Sequence, residues 1–204
     1  MSNRLILVGS GSFGRELINW AYDTCMPFSS YIGSPGTLEG YSYDLQYLGE
    51  IDDYCPSDGD SLVIAIGDPL IKKSIATKLK SKGAKFKSLI HPSAVIAKSA
   101  VLGEGCVICP QTVISADSKI SDFVAVNALS SVGHDAVVGC YSTLSAHVDL
   151  TGFVAVGECV FFGTGAKVLP KVEIGSNAKI GAGSLVMRNV SEGSVMYALP
   201  AKKL

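Results

Sequence analysis

The sequence predicts two units in tandem: a small α/β, Rossmann-like unit over residues 1–90 and a parallel β-helix over residues 91–204. Three observations carry this. A large apolar side chain recurs at every sixth position from Ile96 to Val186, through Leu102, Ile108, Ile114, Ile120, Val126, Val132, Val138, Leu144, Leu150, Val156, Phe162, Val168, Ile174 and Ile180. A small or β-branched residue follows each one four positions later, as at Cys106, Thr112, Ser118 and Ser130. Upstream of residue 90 the grammar changes, and short apolar strands alternate with helical patterns. A period of six fits neither an α-helix nor a half-buried strand. It is the hexapeptide signature of a coil with three flat sides. Alternating strand and helix implies a small parallel sheet covered by helices.

Taken in order, Arg4–Val8 reads as a buried strand and Arg15–Tyr22 as a helix. Strands are expected over Phe28–Ile32 and Leu62–Ile66, the second ending in Gly67-Asp68. Pro69 suits a helix start, and Leu70–Lys82 is amphipathic, with lysines at 72, 73, 78, 80 and 82 read as a solvated face. Gly83 ends that helix, and Phe86–Ile90 leads through His91-Pro92 into the repeats, which places the boundary near residues 88–95. The repeats amount to about five coils.

Composition excludes several classes. The chain has 204 residues and a net charge of −1, with no basic field for nucleic acid or an acidic membrane. Apolar runs such as Leu5–Val8 are far short of a membrane span. A strand beginning at Arg4 leaves no room for a signal peptide. Six cysteines then imply reduced thiols and a cytoplasmic protein. Cys106 and Cys109 form a C-x-x-C, but Cys106 fills an inward hexad position and no second pair follows, so packing is preferred to zinc.

Gly9, Gly11 and Gly14 fit G-x-G-x-x-G between a strand and a helix, where backbone amides can cradle a phosphate. The second strand ends Tyr31-Ile32-Gly33-Ser34, without the carboxylate a dinucleotide ribose needs, which argues against dehydrogenase chemistry. A tight turn that merely packs helix on strand is the competing explanation. In the repeats, residues 18 apart should stack. One corner then reads Pro110, Ala128, Ala146, Thr164, Ala182, flanked by Gly163, Gly165, Gly181 and Gly183. Such a track lets an extended ligand lie on exposed backbone, although glycine also eases tight corners. His147 lies at its foot, one coil below Gly165. His134 and Asp135 form an outward pair suited to general-base work, provided a turn brings the carboxylate round. His91, His134 and His147 lie on different parts of the chain, so no metal site is expected.

The glycine loop followed by Arg15-Glu16, Ile66-Gly67-Asp68, Leu89-Ile90-His91-Pro92, Gly133-His134-Asp135 and Pro200-Ala201-Lys202 together resemble the sugar O-acyltransferase family, which includes sialic acid O-acetyltransferases and UDP-4-amino-sugar N-acetyltransferases. The resemblance implies a left-handed β-helix, a homotrimer, acetyl-CoA lying between neighbouring solenoids, and a nucleotide-sugar held by the N-terminal unit. It implies His134 as general base and Asp135 as the group that makes it more basic. Gly11, Ser12, Phe13 and Gly67 fall at nucleotide-sugar contacts, and Thr143, Thr164 and Ala182 at acetyl-CoA contacts. Gly33-Ser34 replaces the family's acidic pair, and Thr143 stands where a histidine is common, which directs attention to His147 as a groove residue. The expected activity is N-acetylation of a nucleotide-linked amino sugar for surface glycan synthesis. O-acetylation of a sialic acid or other surface sugar, and a non-catalytic scaffold, are the alternatives.

Overall fold

The computed structural model describes residues 4–199; the Pro200-Ala201-Lys202 motif lies outside them. Strand β1 (Arg4–Val8) starts a parallel sheet with β2 (Ser30–Ile32), β3 (Gln46–Tyr47) and β4 (Asp60–Ile64), in the order β3-β2-β1-β4. Helix α1 spans Ser12–Asp23 and α2 spans Pro69–Ser81. Four of these six elements fall within two residues of the sequence reading at both ends. Helix α1 starts three residues earlier than expected, because Gly11 supplies its extended N-cap. Strand β3 is unannounced in the sequence: two exposed residues, Gln46 and Tyr47, carry no hydrophobic pattern.

The solenoid is a left-handed parallel β-helix. Its eighteen described strands, each of two residues, form three sheets. Face 1 has seven strands from Leu89–Ile90 to Val195–Met196, face 2 six from Val95–Ile96 to Leu185–Val186, and face 3 five from Val101–Leu102 to Glu173–Ile174. That makes six coils rather than five, because Leu89–Ile90 and Val195–Met196 extend the stack beyond the hexad series. Pairings such as Lys119↔Val137 and Ser131↔Asp149 fix the offset at 18 residues. The last coil is two residues short, pairing Lys179 with Val195. Inside runs one apolar core, with Leu144, Val138, Leu150 and Phe162 fully buried.

The corners hold the coil closed. At every sixth residue the backbone turns left-handed, at Gln111, Asp117, Phe123, Leu129, Asp135, Tyr141, His147, Phe153, Cys159, Lys171 and Asn177, with Gly105, Gly165 and Gly183 in the same slot. A non-glycine residue there costs roughly 1 kcal/mol. Its N–H repays part of this by donating to a carbonyl one coil away, as Asp135 does to Ala116 and Phe153 to His134.

The α/β unit sits on face 1. The outward side chains Val107 and Ala125 pack with Leu7, Leu17 and Leu89 in one buried cluster, and Phe123 packs with Ile6, Ile64 and Leu79 in another. Ion pairs Lys73–Glu158 (3.0 Å) and Lys80–Glu104 (2.7 Å) orient α2, with its start against the upper coils and its end against the lower ones. His91 bonds Asp23 (3.0 Å) and Ser93 (2.7 Å), tying the end of α1 to the first coil. Both helices therefore begin high on the solenoid.

Replacing Leu144 by Ala should cost about 2–5 kcal/mol, the range for a truncated, fully enclosed leucine. Denaturant titration checks this.

Candidate functional site

The two unit-level features found in the sequence occupy different sides of the molecule. The carboxyl ends of β1, β2 and β4 gather the glycine loop, Gly33-Ser34 and Gly67 at one edge of the sheet. A Cβ on Gly14 would lie 2.4 Å from the Gly9 carbonyl, and one on Gly9 2.9 Å from Ile66. Those two glycines are explained by packing. Gly11 is not: a Cβ there meets nothing within 4 Å, nor does one on Gly67. Gly11 and Ser12 are exposed, Phe13 is half-buried, and Gly33 is buried against Ser10. Ser34 is exposed and its carbonyl accepts from Thr37 (2.9 Å). The Arg15 guanidinium lies 4.3 Å from the Tyr41 ring centre, and Tyr41 stacks on Tyr43. A cation and an exposed aromatic thus flank the loop. Sequence reasoning missed both Tyr41 and Tyr43, since no periodic signal marks residues 33–45.

Asp68 caps α2, its Oδ1 accepting from the amides of Leu70 and Ile71 at 3.0 Å. The buried stripe of that helix is Pro69, Lys72, Ala76 and Leu79. Lys72 was expected in solvent and is instead only 2% exposed. The spacing held the signal, because positions 69, 72, 76 and 79 share one helical face. The Lys72 ammonium donates to Thr143 Oγ1 (2.8 Å) and the Ser142 carbonyl (3.2 Å). Burial, the dominant cause, pushes its amine down to about 7. Thr143 is correspondingly buried beneath α2.

Corner 1–2, which follows each strand of face 1, carries Ala146, Thr164 and Ala182, and Thr164 and Ala182 are exposed. His147 is exposed one coil below Gly165, as the stacking arithmetic required. The glycines need separating. A Cβ on Gly163 would come within 2.5 Å of the Ala182 amide, yet Gly133, Gly139 and Gly157 are equally constrained at the other corners. Coil stacking accounts for this set. At Gly165 and Gly183 a Cβ would find no neighbour closer than 4.0 Å, and both occupy the left-handed slot that other coils fill with larger residues. They leave real space beside Thr164 and Ala182.

His134 stands on corner 2–3, the corner opposite face 1. The left-handed turn at Asp135 (φ 59°) satisfies the condition set by the sequence, bringing its carboxylate 2.9 Å from His134 Nδ1. With Nδ1 donating to Asp135, the Nε2 lone pair is left as an acceptor. The ring packs edge-on to Phe153, 5.1 Å between centres, and lies over Gly152, where a Cβ would sit 2.5 Å from Nε2. Its side chain is 59% exposed. Cavities of about 480 Å³ beside Glu173 and Glu192, and about 460 Å³ at the amino end of the sheet, contain none of the residues expected in the site. Among the described residues no three His, Cys, Asp or Glu side chains converge as metal ligands. Cys106 and Cys109 are buried thiols, and burial pushes Cys106 up to about 11, which fits packing.

The family model for bacterial transferase hexapeptides (six repeats) matches residues 153–188. The UDP-N-acetylbacillosamine N-acetyltransferase of Bacillus subtilis (strain 168) is 37% identical over 109 residues, 50% of this chain and 49% of that protein. The chain spans about half the length of the curated relatives it matches. Among solved structures, the acetyltransferase domain of PglB from Neisseria gonorrhoeae FA1090 is similar over 100% of both chains, at 25% identity and a TM-score of 0.89. PerB from Caulobacter crescentus, in complex with CoA and GDP-perosamine, is 29% identical over 98% of this chain and 96% of that one, with a TM-score of 0.86.

Gly152→Ala should displace the His134 ring while leaving the coil folded, since the added methyl meets only that side chain at close range. The imidazole resonances of His134 report it. A second expectation concerns pH. Lys72 in the unfolded chain keeps its proton to about 10.5 but releases it near 7 when buried. Between those values the unfolded state binds more protons, so stability rises with pH. The gain is complete above the unfolded value and lost as pH falls through 7. Thermal midpoints should therefore climb from about pH 7 to 9, and Lys72→Met should remove that climb.

Proposed function

We propose that the chain is an acetyl-CoA-dependent N-acetyltransferase acting on the amino group of a nucleotide-linked amino sugar. The observation that carries this is the His134–Asp135 pair, an exposed base whose Nδ1 is held by a carboxylate and whose Nε2 remains an acceptor. Likeness along the whole chain to PerB, solved with CoA and GDP-perosamine, supports the substrate classes. In this reading residues 1–90 are a Rossmann-like nucleotide-sugar unit. Gly11, Ser12, Phe13 and Gly67 approach the sugar nucleotide, with Gly33-Ser34 beside them. Residues 91–204 are the acyltransferase unit, in which Thr164, Ala182 and His147 line the path of the pantetheine arm. Such a chain works in the cytoplasm, where nucleotide sugars are made.

The amine attacks the thioester carbonyl carbon, forming a C–N bond, while His134 Nε2 takes the N–H proton. Asp135 stabilises the resulting imidazolium. Collapse of the tetrahedral intermediate breaks the C–S bond, and His134 returns the proton to the departing sulfur. The products are the N-acetyl sugar and CoA thiol. No serine or cysteine nucleophile is required.

The separation of the parts favours a homotrimer. The α/β unit covers face 1 with the carboxyl edge of its sheet toward the upper coils, whereas His134 lies on the corner opposite face 1. One chain cannot bring these together across its own prism. A neighbouring copy can, by setting its histidine corner against this chain's corner 1–2. Three such contacts close a ring.

His134→Ala should lower turnover by about 10²–10⁴-fold with little change in acetyl-CoA affinity, and Asp135→Asn by less. His147→Ala should have a modest effect. Thiol release against UDP- and GDP-linked amino sugars measures all three, and a fully active His134→Ala would reassign the base. Ala182→Trp should block coenzyme A binding in a folded trimer. Mixing His134→Ala with Ala182→Trp subunits tests the shared site: random trimers should regain about a quarter of parental activity if each site spans two chains. A mixture as inactive as its components would place each site within one chain.

A further inference from the structure

Phe153 fills a slot in which the coil has no need of an aromatic ring. The left-handed position at each corner asks only for an amide that can bond the neighbouring coil, and Gly165, Asp117 or Asn177 supply it elsewhere. A bulky side chain is unfavourable at positive φ, yet Phe153 has φ 61°. Two other aromatics in the slot are explained by burial. Phe123 is 1% exposed and packs against the α/β unit, and Tyr141 stacks on it. Phe153 is 50% exposed, and its aromatic partner among the described residues is His134. Leu129 shares both the slot and the exposure, so the neighbour is what sets Phe153 apart.

Three contacts converge on that neighbour. Asp135 meets Nδ1 at 2.9 Å. Gly152, one coil on, is the surface the ring lies against: a Cβ there would sit 2.5 Å from Nε2 and 2.6 Å from Cε1. The imidazole thus fills the space of a missing side chain. Phe153 stands beside it, the rings nearly perpendicular (89°) with centres 5.1 Å apart, an arrangement aromatic pairs prefer. The Phe153 amide donates to the His134 carbonyl (3.0 Å), so the backbone itself sets the spacing of the two rings. The carboxylate alone does not fix the base. Both members of that pair are exposed, water competes for their hydrogen bond, and the imidazole has other rotamers to visit. We propose that Phe153 is a positioning residue for acyl transfer, which holds the His134 ring against Gly152 and Asp135 so that Nε2 meets the amine in one orientation. The inference rests on the acetyltransferase reading and deepens it. Phe153 carries no proton and acts only through the imidazole, and the strained backbone at residue 153 is what placing a ring there costs.

The test uses Phe153→Gly, Phe153→Tyr and Phe153→Leu in the full chain. Glycine suits the left-handed slot, as at Gly165 and Gly183, so Phe153→Gly should hold its thermal midpoint. Its saturating turnover should nevertheless fall about 10-fold, the scale of a misplaced reacting group, with the KM for acetyl-CoA near the parental value. Phe153→Tyr keeps the ring and should restore turnover. Phe153→Leu keeps only apolar bulk and should stay below the parental rate. In a His134→Ala background Phe153→Gly should cost nothing further. Independently of turnover, the imidazole protons of the ligand-free parent should show a nuclear Overhauser contact to the Gly152 α-protons. That contact should weaken in Phe153→Gly and return in Phe153→Tyr. A folded Phe153→Gly with parental turnover overturns the assignment, as does one whose imidazole keeps the parental contact with Gly152. A further loss in the His134→Ala background overturns it too, since Phe153 would then act by another route. If Phe153→Gly fails to fold, Phe153→Leu and Phe153→Tyr decide by the same readings. An imidazole that follows Phe153 in a chain that acetylates no amino sugar overturns the acetyltransferase reading along with this one; the other results remove only the part assigned to Phe153.

Discussion

Backbone hydrogen bonds in this solenoid run between coils, so each residue finds its partner 18 positions along the chain. The side chains then have no freedom of register, because a slip of one residue would turn the whole inward column of Val132, Leu150 and Val168 toward solvent. What permits the register is the left-handed residue at each corner. It lets three two-residue strands close in 18 residues, and its amide bonds the neighbouring coil. The same device brings His134 and Asp135 together. Neighbours on an extended strand point to opposite sides, and His134 could not bond the carboxylate of the next residue there. At a left-handed corner it does. The His134–Asp135 pair is a corner of the ordinary repeat in which the slot is filled by Asp135 rather than by Leu129 or Phe153.

The sequence made much of this legible because the β-helix converts position into place. Stacking by 18 puts Thr164 above Ala146 and Gly165 above His147 on arithmetic alone, and the pairing of Thr143 with Phe161 confirms the offset. The glycine density at corner 1–2 was less informative than it looked. Gly163 answers to the same close coil contact as Gly139 and Gly157, and only the left-handed Gly165 and Gly183 leave open space. In the α/β unit the periodic elements were readable, whereas β3 and the Tyr41–Tyr43 segment were not, since their positions depend on contacts distant in sequence.

Lys72 is the instructive exception. A lysine within a lysine-rich helix reads as solvated, and Lys73, Lys78 and Lys80 follow that rule with ion pairs to Glu158, Asp52 and Glu104. Lys72 differs only in sharing a face with Ala76 and Leu79. A hydrophobic stripe interrupted by one charge carries two messages: the face is buried, and the charge must find partners there. The partners, Ser142 and Thr143, lie about seventy residues away and belong to the other unit, which is why composition of the helix alone could not reveal them.

A regular solenoid has flat faces and convex corners, and neither shape encloses a ligand. In the proposed assembly two additions supply the concavity. The α/β unit covers face 1 with the carboxyl edge of its sheet toward the upper coils, and the ion pairs and the aromatic contact of Phe86, Phe123 and Tyr141 fix that placement. This forms one wall. The histidine corner points away from it, with Phe153, Leu169 and Met187 exposed around His134 or on the coils above. In the proposed trimer a second copy covers this apolar rim, which lowers the cost of exposing it, and carries His134 to the other wall. In the proposed trimer a symmetric contact removes the distance between His134 and that edge, and the 18-residue register holds the two at fixed heights along each chain.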